Sequence, residues 1–169
     1  MDLSVVIAQW LHVFFGIFWF GGTLYATFVV FPALARLQPA SARAATIQLQ
    51  RQISRVIPWV ALATIVLGIV RGTVFGPIQA ADQLTSTYGL WWLLGLLGSL
   101  ALVMWGQYVI SPSADRLNAD EEAWAESTER PSPRLARLIS RLRLVATIEV
   151  VGFAVVFSAM IAMHAVSEA

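Results

Sequence analysis

Four long runs of apolar residues alternate with polar connections along the chain. They cover approximately residues 5–34, 56–75, 89–110 and 144–165. Each run is long enough to cross a hydrocarbon core of roughly 30 Å as a helix, and none shows the strict alternation of a barrel strand. The pattern therefore predicts an all-α polytopic membrane protein, a four-transmembrane-helix bundle that forms a single domain over residues 1–169.

The composition agrees with this prediction and narrows the possible functions. Of the 169 residues, 58% are hydrophobic and 12% are charged, whereas about 25% are charged in an average soluble domain. The chain has no Cys and no Lys, so it forms neither a disulfide nor a thiolate metal site. This composition excludes soluble enzymes, nucleic-acid binders and secreted disulfide scaffolds. We expect the lipid bilayer to be the main partner, with no nucleic acid.

The arginines predict the orientation of the bundle. Ten of the eleven lie in two connections, residues 35–55 and 111–143, while residues 76–88 and both terminal tails have none. The positive-inside rule places arginine-rich connections in the cytoplasm. We therefore expect both termini outside, in a bacterial-type inner (plasma) membrane, with Trp10, Trp91 and Trp92 at the outer interface.

Both arginine-rich connections are predicted to be partly helical, and the one before the fourth span shows the clearest pattern. A Pro-Ser-Pro run at 131–133 separates it from the acidic stretch 120–129. Leucines then recur at helical spacing, with arginines on the other face: Leu135, Leu138 and Leu142 against Arg134, Arg137 and Arg141. We expect this basic amphipathic segment to lie along the inner leaflet, with its charges in solvent.

Four ionisable residues lie inside the predicted spans, where such groups are costly: about 2.5–3.5 kcal/mol for Arg or Asp on insertion scales. They are His12, Arg71, Glu149 and His164, and the two histidines are the only ones in the chain. Glu149 lies six residues from Arg143. We expect it to reach the inner surface or to pair with an inner arginine.

Counting residues from the inner arginines gives the expected depths. His12 is 24 residues from Arg36 and His164 is 21 residues from Arg143, or about 36 and 32 Å of helix. The two imidazoles are thus expected at matching heights near the outer face. Arg71, 16 residues above Arg55, is expected about one to two turns deeper.

Histidines at matched heights on two helices of a bundle suit a shared metal centre. Imidazole binds both haem iron and copper. For haem, Gly16 leaves room for a macrocycle, although small residues also allow close helix packing without a cofactor. Arg71 is suited to pairing with a propionate, although it also suits an interface anchor. The residues expected to line the pocket are Trp19, Phe15 and Phe157.

Two other interpretations of the histidines remain open. Met160 and Met163 lie close to His164, and thioethers with imidazole form a ligand set suited to Cu(I). Alternatively, the histidines are interfacial residues that face water and hold no metal.

The first helix carries a recognisable sequence. Residues 11–22 read Leu-His-Val-Phe-Phe-Gly-Ile-Phe-Trp-Phe-Gly-Gly. They resemble the opening of copper-resistance D-type membrane proteins: Leu-His, six residues, then Trp-x-Gly-Gly. A similar opening occurs in the four-helix membrane protoporphyrinogen oxidases of haem synthesis.

This resemblance implies a metal or haem role for His12. In the haem-synthesis family the first-helix histidine is implicated in haem binding together with a functional lysine, and the present chain has no lysine. The copper-resistance family is implicated in moving copper through the membrane, which would use His12, His164, Met160 and Met163 as ligands.

The sequence thus predicts a membrane protein that binds one haem b between the first and fourth helices, axially through His12 and His164. Arg71, Gly16 and Trp19 are the further predicted cofactor contacts. Such a protein would transfer electrons, or act as a haem-dependent oxidoreductase, with a quinol or membrane redox partner. The alternatives are a copper-binding transport or resistance protein and a cofactor-free structural or assembly subunit of a membrane complex.

Overall fold

The structure, a computed structural model, describes residues 2–128 and 130–167, apart from the side chains of His164, Val166 and Ser167. The side chain of the second predicted metal ligand, His164, therefore lies outside the described residues. Five helices follow one another: α1 Leu3–Leu34, α2 Pro39–Thr73, α3 Thr87–Ala119, α4 Glu121–Ala125 and α5 Pro133–Ser167. A short 3₁₀ turn, Ala81–Thr85, precedes α3.

The predicted all-α membrane architecture is confirmed. The described residues contain no strand, and four helices (α1, α2, α3 and α5) are long and apolar enough to span a membrane. Only 11–28% of the residues in their most apolar segments are buried inside the protein. Most of this apolar surface therefore faces outward, where lipid rather than water is the favourable solvent.

The four long helices form two antiparallel hairpins, α1 with α2 and α3 with α5, and each hairpin packs more extensively within itself than against the other. The start of α1 and the end of α5 lie at one end of the bundle, called here the terminal end. The connections rich in arginine lie at the opposite, arginine-rich end. All four helices contribute to a central core of aliphatic and aromatic side chains: Trp19, Val60, Ala61, Leu102, Phe153 and Val156.

The helices extend past the predicted spans at the arginine-rich end. Helix α2 begins at Pro39 rather than near residue 56, and α5 begins at Pro133 rather than near residue 144. The expected helical character of these connections is therefore confirmed. They are continuous extensions of the membrane helices.

We expect from the sequence that the leucine face of the α5 extension lies along the inner leaflet. The structure shows instead that this face is buried within the protein. Leu135 is 1% exposed and packs with Leu142 against Leu117 and Trp124. The reason is α4, which covers this face, and the Trp124 indole donates a hydrogen bond of 2.7 Å to the Leu117 carbonyl.

Ion pairs also link the α4 region to α2 and α5. Arg134 pairs with Asp120 at 2.7 Å and with Glu122 at 2.8 Å, and Arg43 of α2 pairs with Glu121 at 3.0 Å. Part of the expected solvated basic surface is thus neutralised by the acidic stretch.

Helices α1 and α3 share an irregularity. Each contains one π-helical turn, Ala26–Val30 in α1 and Gly106–Ile110 in α3. In both, proline is the second residue after the π turn (Pro32 and Pro112). Proline lacks an N–H and clashes with the preceding turn, and a widened turn accommodates it within a continuous helix.

Candidate functional site

A cavity of about 410 Å³ opens between the two hairpins near the terminal end of the bundle. Its volume falls within the range of small-molecule and cofactor sites. All four long helices contribute to its lining. The polar part consists of Gln9, His12, Thr64, Arg71, Tyr88 and Ser99, and the aromatic part of Trp91, Trp92 and Phe157.

The imidazole of His12 is fixed by a backbone group of the neighbouring helix. Its Nδ1 lies 2.9 Å from the Thr64 carbonyl oxygen. Because a carbonyl only accepts, Nδ1 is the donor, and the neutral ring then carries its lone pair on Nε2. Metal-binding histidines are commonly oriented by such a hydrogen bond from the other ring nitrogen. His12 therefore has the geometry of a preoriented ligand.

Two glycines one turn apart on α2 make room for rings from the other helices. A Cβ atom at Gly68 would lie 2.9 Å from His12 Cε1, and one at Gly72 would overlap the Trp92 indole. The indole Nε1 of Trp92 lies 3.4 Å from the Gly68 carbonyl oxygen. The Gly-x-x-x-Gly spacing usually brings two helix backbones together. Here it admits an imidazole and an indole instead.

Arg71 gives the cavity a positive charge. Its Nε donates to Gln9 Oε1 at 2.9 Å, and one terminal nitrogen donates to the Phe75 carbonyl at 3.0 Å. No carboxylate of the described residues lies within ion-pair distance of it. A guanidinium held in this way is suited to an anionic ligand, above all a carboxylate.

The depth of Arg71 differs from the expectation. It contacts Gln9, which lies on the terminal side of His12, so it is not one to two turns deeper than the histidine. The count from Arg55 misplaced it because Arg55 is not at the inner end of its helix, which begins at Pro39.

Five of the sequence-predicted residues meet in this cavity: His12, Arg71, Phe157, Met160 and Met163. Gly16, Trp19 and Phe15 are not among its lining residues. Trp19 is 3% exposed and packs edge-on against Phe153, with 4.9 Å between the ring centroids. It lies two helical turns beyond His12, where the four helices close into the central core.

Sequence reasoning did not assign several cavity residues to the site. Gln9, Gly68, Gly72, Gly95 and Ser99 belong to this group. A signal for most of them is present in the chain. Positions 68 and 72 on α2, and 95 and 99 on α3, each carry small residues four apart, a spacing typical of close approach inside membranes.

The donor set limits what the cavity can bind. His12 is its one described imidazole, and the thioethers of Met160 and Met163 line the same space. A metal here would complete its coordination from these thioethers, from His164 or from a macrocycle. The arrangement suits a planar, anionic, metal-bearing cofactor or a copper ion.

The comparisons with known proteins identify the family of the chain. The family described as "Domain of unknown function (DUF4149)" matches residues 14–123, which is more than half of the chain. The chain therefore belongs to this family. No curated protein and no solved structure matches it significantly. The matched range includes Arg71, Gly68 and Trp92 and excludes His12 and all of α5.

Proposed function

We propose that this member of the family is a membrane b-type haem protein, with one haem in the cavity held between His12 on α1 and His164 on α5. Its role is electron transfer or a related oxidoreductase reaction. The observation that carries the proposal is the His12 imidazole, fixed on the Thr64 carbonyl and lining a 410 Å³ cavity that also contains Arg71.

The remaining lining supports a flat and largely apolar occupant. Trp91, Trp92 and Phe157 offer aromatic surfaces, and the cavity has far more apolar than polar lining. A Cβ atom at Gly95 would meet nothing within 4 Å, so the wall is open at this point. Haem carries two propionates, and Arg71 is the cation that would pair with one of them.

The chain's own residues would tune and orient the cofactor. Bound haem supplies one-electron redox chemistry. The hydrogen bond to Thr64 would restrict the rotation of the His12 imidazole. The aromatic residues around the cavity would limit the access of water.

The arginine distribution supports an orientation with the arginine-rich end in the cytoplasm of a bacterial-type inner membrane. The cavity, at the terminal end, would then lie near the outer face. A quinol or a membrane redox partner is proposed on this basis.

The absorption spectrum of the purified protein tests the proposal. Protein from cells supplied with a haem precursor should show a Soret band and, in the reduced-minus-oxidised spectrum, an α band. His12→Ala should lose both bands, whereas Trp10→Phe, a change at an exposed position outside the cavity, should keep them. Wild-type protein without these bands, even after haem is added, contradicts the proposal.

A copper site is the second candidate, favoured by the presence of Met160 and Met163 beside His12 in one cavity. Metal analysis after copper loading distinguishes the two. Met160→Leu with Met163→Leu should lower copper retention if copper is the ligand and should leave His12–His164 haem ligation largely unchanged. A colourless, metal-free protein would contradict both metal sites and leave the structural or assembly role as the remaining alternative.

A further inference from the structure

A second polar site lies in the bundle interior, at the level of the two π turns. Its side chains are Thr27, in the π turn of α1, and Glu149 on α5. They are 4% and 9% exposed. Neither side chain contributes to the 410 Å³ cavity, so this site is separate from the proposed haem site.

The hydroxyl of Thr27 differs from several other helical hydroxyls. Thr46, Thr64 and Ser158, for example, each donate to the carbonyl four residues earlier, at 2.7–2.8 Å. Thr27 Oγ1 is buried and has no hydrogen-bond partner among the described residues. A buried hydroxyl without a partner costs free energy, and a ligand bound beside Thr27 would offset this cost.

The backbone near Thr27 also lacks a donor. The Phe31 N–H donates to the Ala26 carbonyl across the π turn, and the next residue, Pro32, has no N–H. The Thr27 carbonyl therefore loses its two usual helical donors. Helix α3 repeats the pattern: the Ser111 N–H donates to the Gly106 carbonyl and Pro112 follows, so the Gln107 carbonyl loses the same two donors. Carbonyls released in this way coordinate cations in broken membrane helices.

Glu149 supplies a carboxylate to this region. It was expected to reach the surface or to pair with an inner arginine, and it does neither among the described residues. Its Oε1 lies 3.8 Å from the position that a Cβ of Gly106 would occupy, at the start of the second π turn. The missing Cβ leaves space beside the carboxyl group.

The helix register places Thr27 and Glu149 at one level. The Phe20 ring lies between those of Phe153 and Phe157, with centroids at 5.3 and 6.2 Å. Thr27 is seven residues past Phe20 and Glu149 is four residues before Phe153, so each lies on the same face of its helix as these rings. The π turn of α1 also packs against α5.

We propose that Thr27, Glu149 and the carbonyls released by the π turns bind one small monovalent cation. All of these donors are oxygens, which suit hard cations. Glu149 is the only acidic residue in the four predicted spans. A single carboxylate neutralises one positive charge, whereas a divalent ion would leave an uncompensated charge inside the bundle.

Thermal unfolding in detergent tests this site with Na⁺ as the probe. At equal ionic strength, NaCl should raise the Tm of the wild-type protein above its value in choline chloride, by about 5–10 °C at saturation. Thr27→Val and Glu149→Gln should each abolish most of this increase. Thr46→Val, which also removes a buried hydroxyl, should retain it, because Thr46 bonds to its own helix.

Three results would overturn the proposal. The first is an equal Tm of the wild-type protein in the two salts. The second is a sodium effect that persists in both site variants. The third is a Tm that depends on pH but not on the cation, which would assign a proton to Glu149. Glu149→Gln keeps the size of the side chain and removes its charge, so its Tm in choline chloride should not fall below that of the wild type.

Discussion

At the scale of single residues, the cavity depends on a hydrogen bond and on an absent side chain. His12 reaches the Thr64 carbonyl because Gly68, one turn further along α2, has no Cβ in its way. The sequence predicts the importance of His12, since an imidazole inside a membrane span is costly. It does not predict the partner, because the accepting group is a backbone carbonyl that any residue type would supply.

Gly68→Ala should displace the imidazole. The added Cβ would lie 2.9 Å from His12 Cε1, and overpacking of this kind costs about 1–3 kcal/mol. We expect haem affinity to fall about 10-fold, measured by haem titration of the apoprotein. Gly21→Ala is the matched control, because a Cβ there meets nothing within 4 Å. Equal affinities of the two variants would show that the Gly68 contact does not position His12.

Arg71→Gln should weaken haem binding through the propionates. Loss of a hydrogen bond to a charged group costs about 1.5–3 kcal/mol, or about 10- to 100-fold in affinity. The dimethyl ester of haem, which has no carboxylate, should bind the wild type and the variant equally. An equal loss of affinity for haem and for its ester would instead assign Arg71 a purely structural role.

At the scale of elements, apolar periodicity predicts the four membrane helices but not all their ends. Beyond Arg55 and Arg143, towards the arginine-rich end, the helices continue as amphipathic segments, which hydropathy alone assigns to connections. The π turns also escape prediction. Pro32 and Pro112 indicate an irregularity at each place, but whether a helix bends, breaks or widens depends on its packing partners.

The small helix α4 should be held mainly by its buried indole. Trp124 packs in the core of the arginine-rich end and donates to Leu117, so Trp124→Ala should lower the free energy of unfolding by about 3–5 kcal/mol. Arg134→Gln should change it little, because exposed ion pairs contribute weakly. Denaturant titration in micelles measures both. A larger loss for Arg134→Gln than for Trp124→Ala would show that charge pairing holds α4.

At the scale of the whole molecule, the contact between the two hairpins is less extensive than the contact between the two helices of each hairpin. The cavity lies between the two hairpins. The sequence predicts that His12, Arg71, Met160 and Met163 share one end of the bundle. It does not predict that Trp19 belongs to the central core, because that depends on where the four helices close.

The absence of cysteine allows a direct test of the proposed orientation. Ala81 is exposed at the terminal end, and Thr128 is exposed at the arginine-rich end. Ala81→Cys and Thr128→Cys therefore place one thiol at each end. A membrane-impermeant maleimide added to intact bacterial cells should label only Ala81→Cys, and Thr128→Cys should react after permeabilisation. The reverse pattern would place the arginine-rich end outside.

The most direct measurement is the number of haems bound per chain when the cavity is filled by a side chain. Gly95→Leu should project its side chain into the cavity, since a Cβ there meets no atom within 4 Å. Gly21→Leu adds the same side chain at an exposed position outside the cavity. The wild type and Gly21→Leu should each bind one haem, and Gly95→Leu should bind less than about a tenth as much. Undiminished haem in Gly95→Leu, or none in the wild type, would contradict a haem site between the two hairpins.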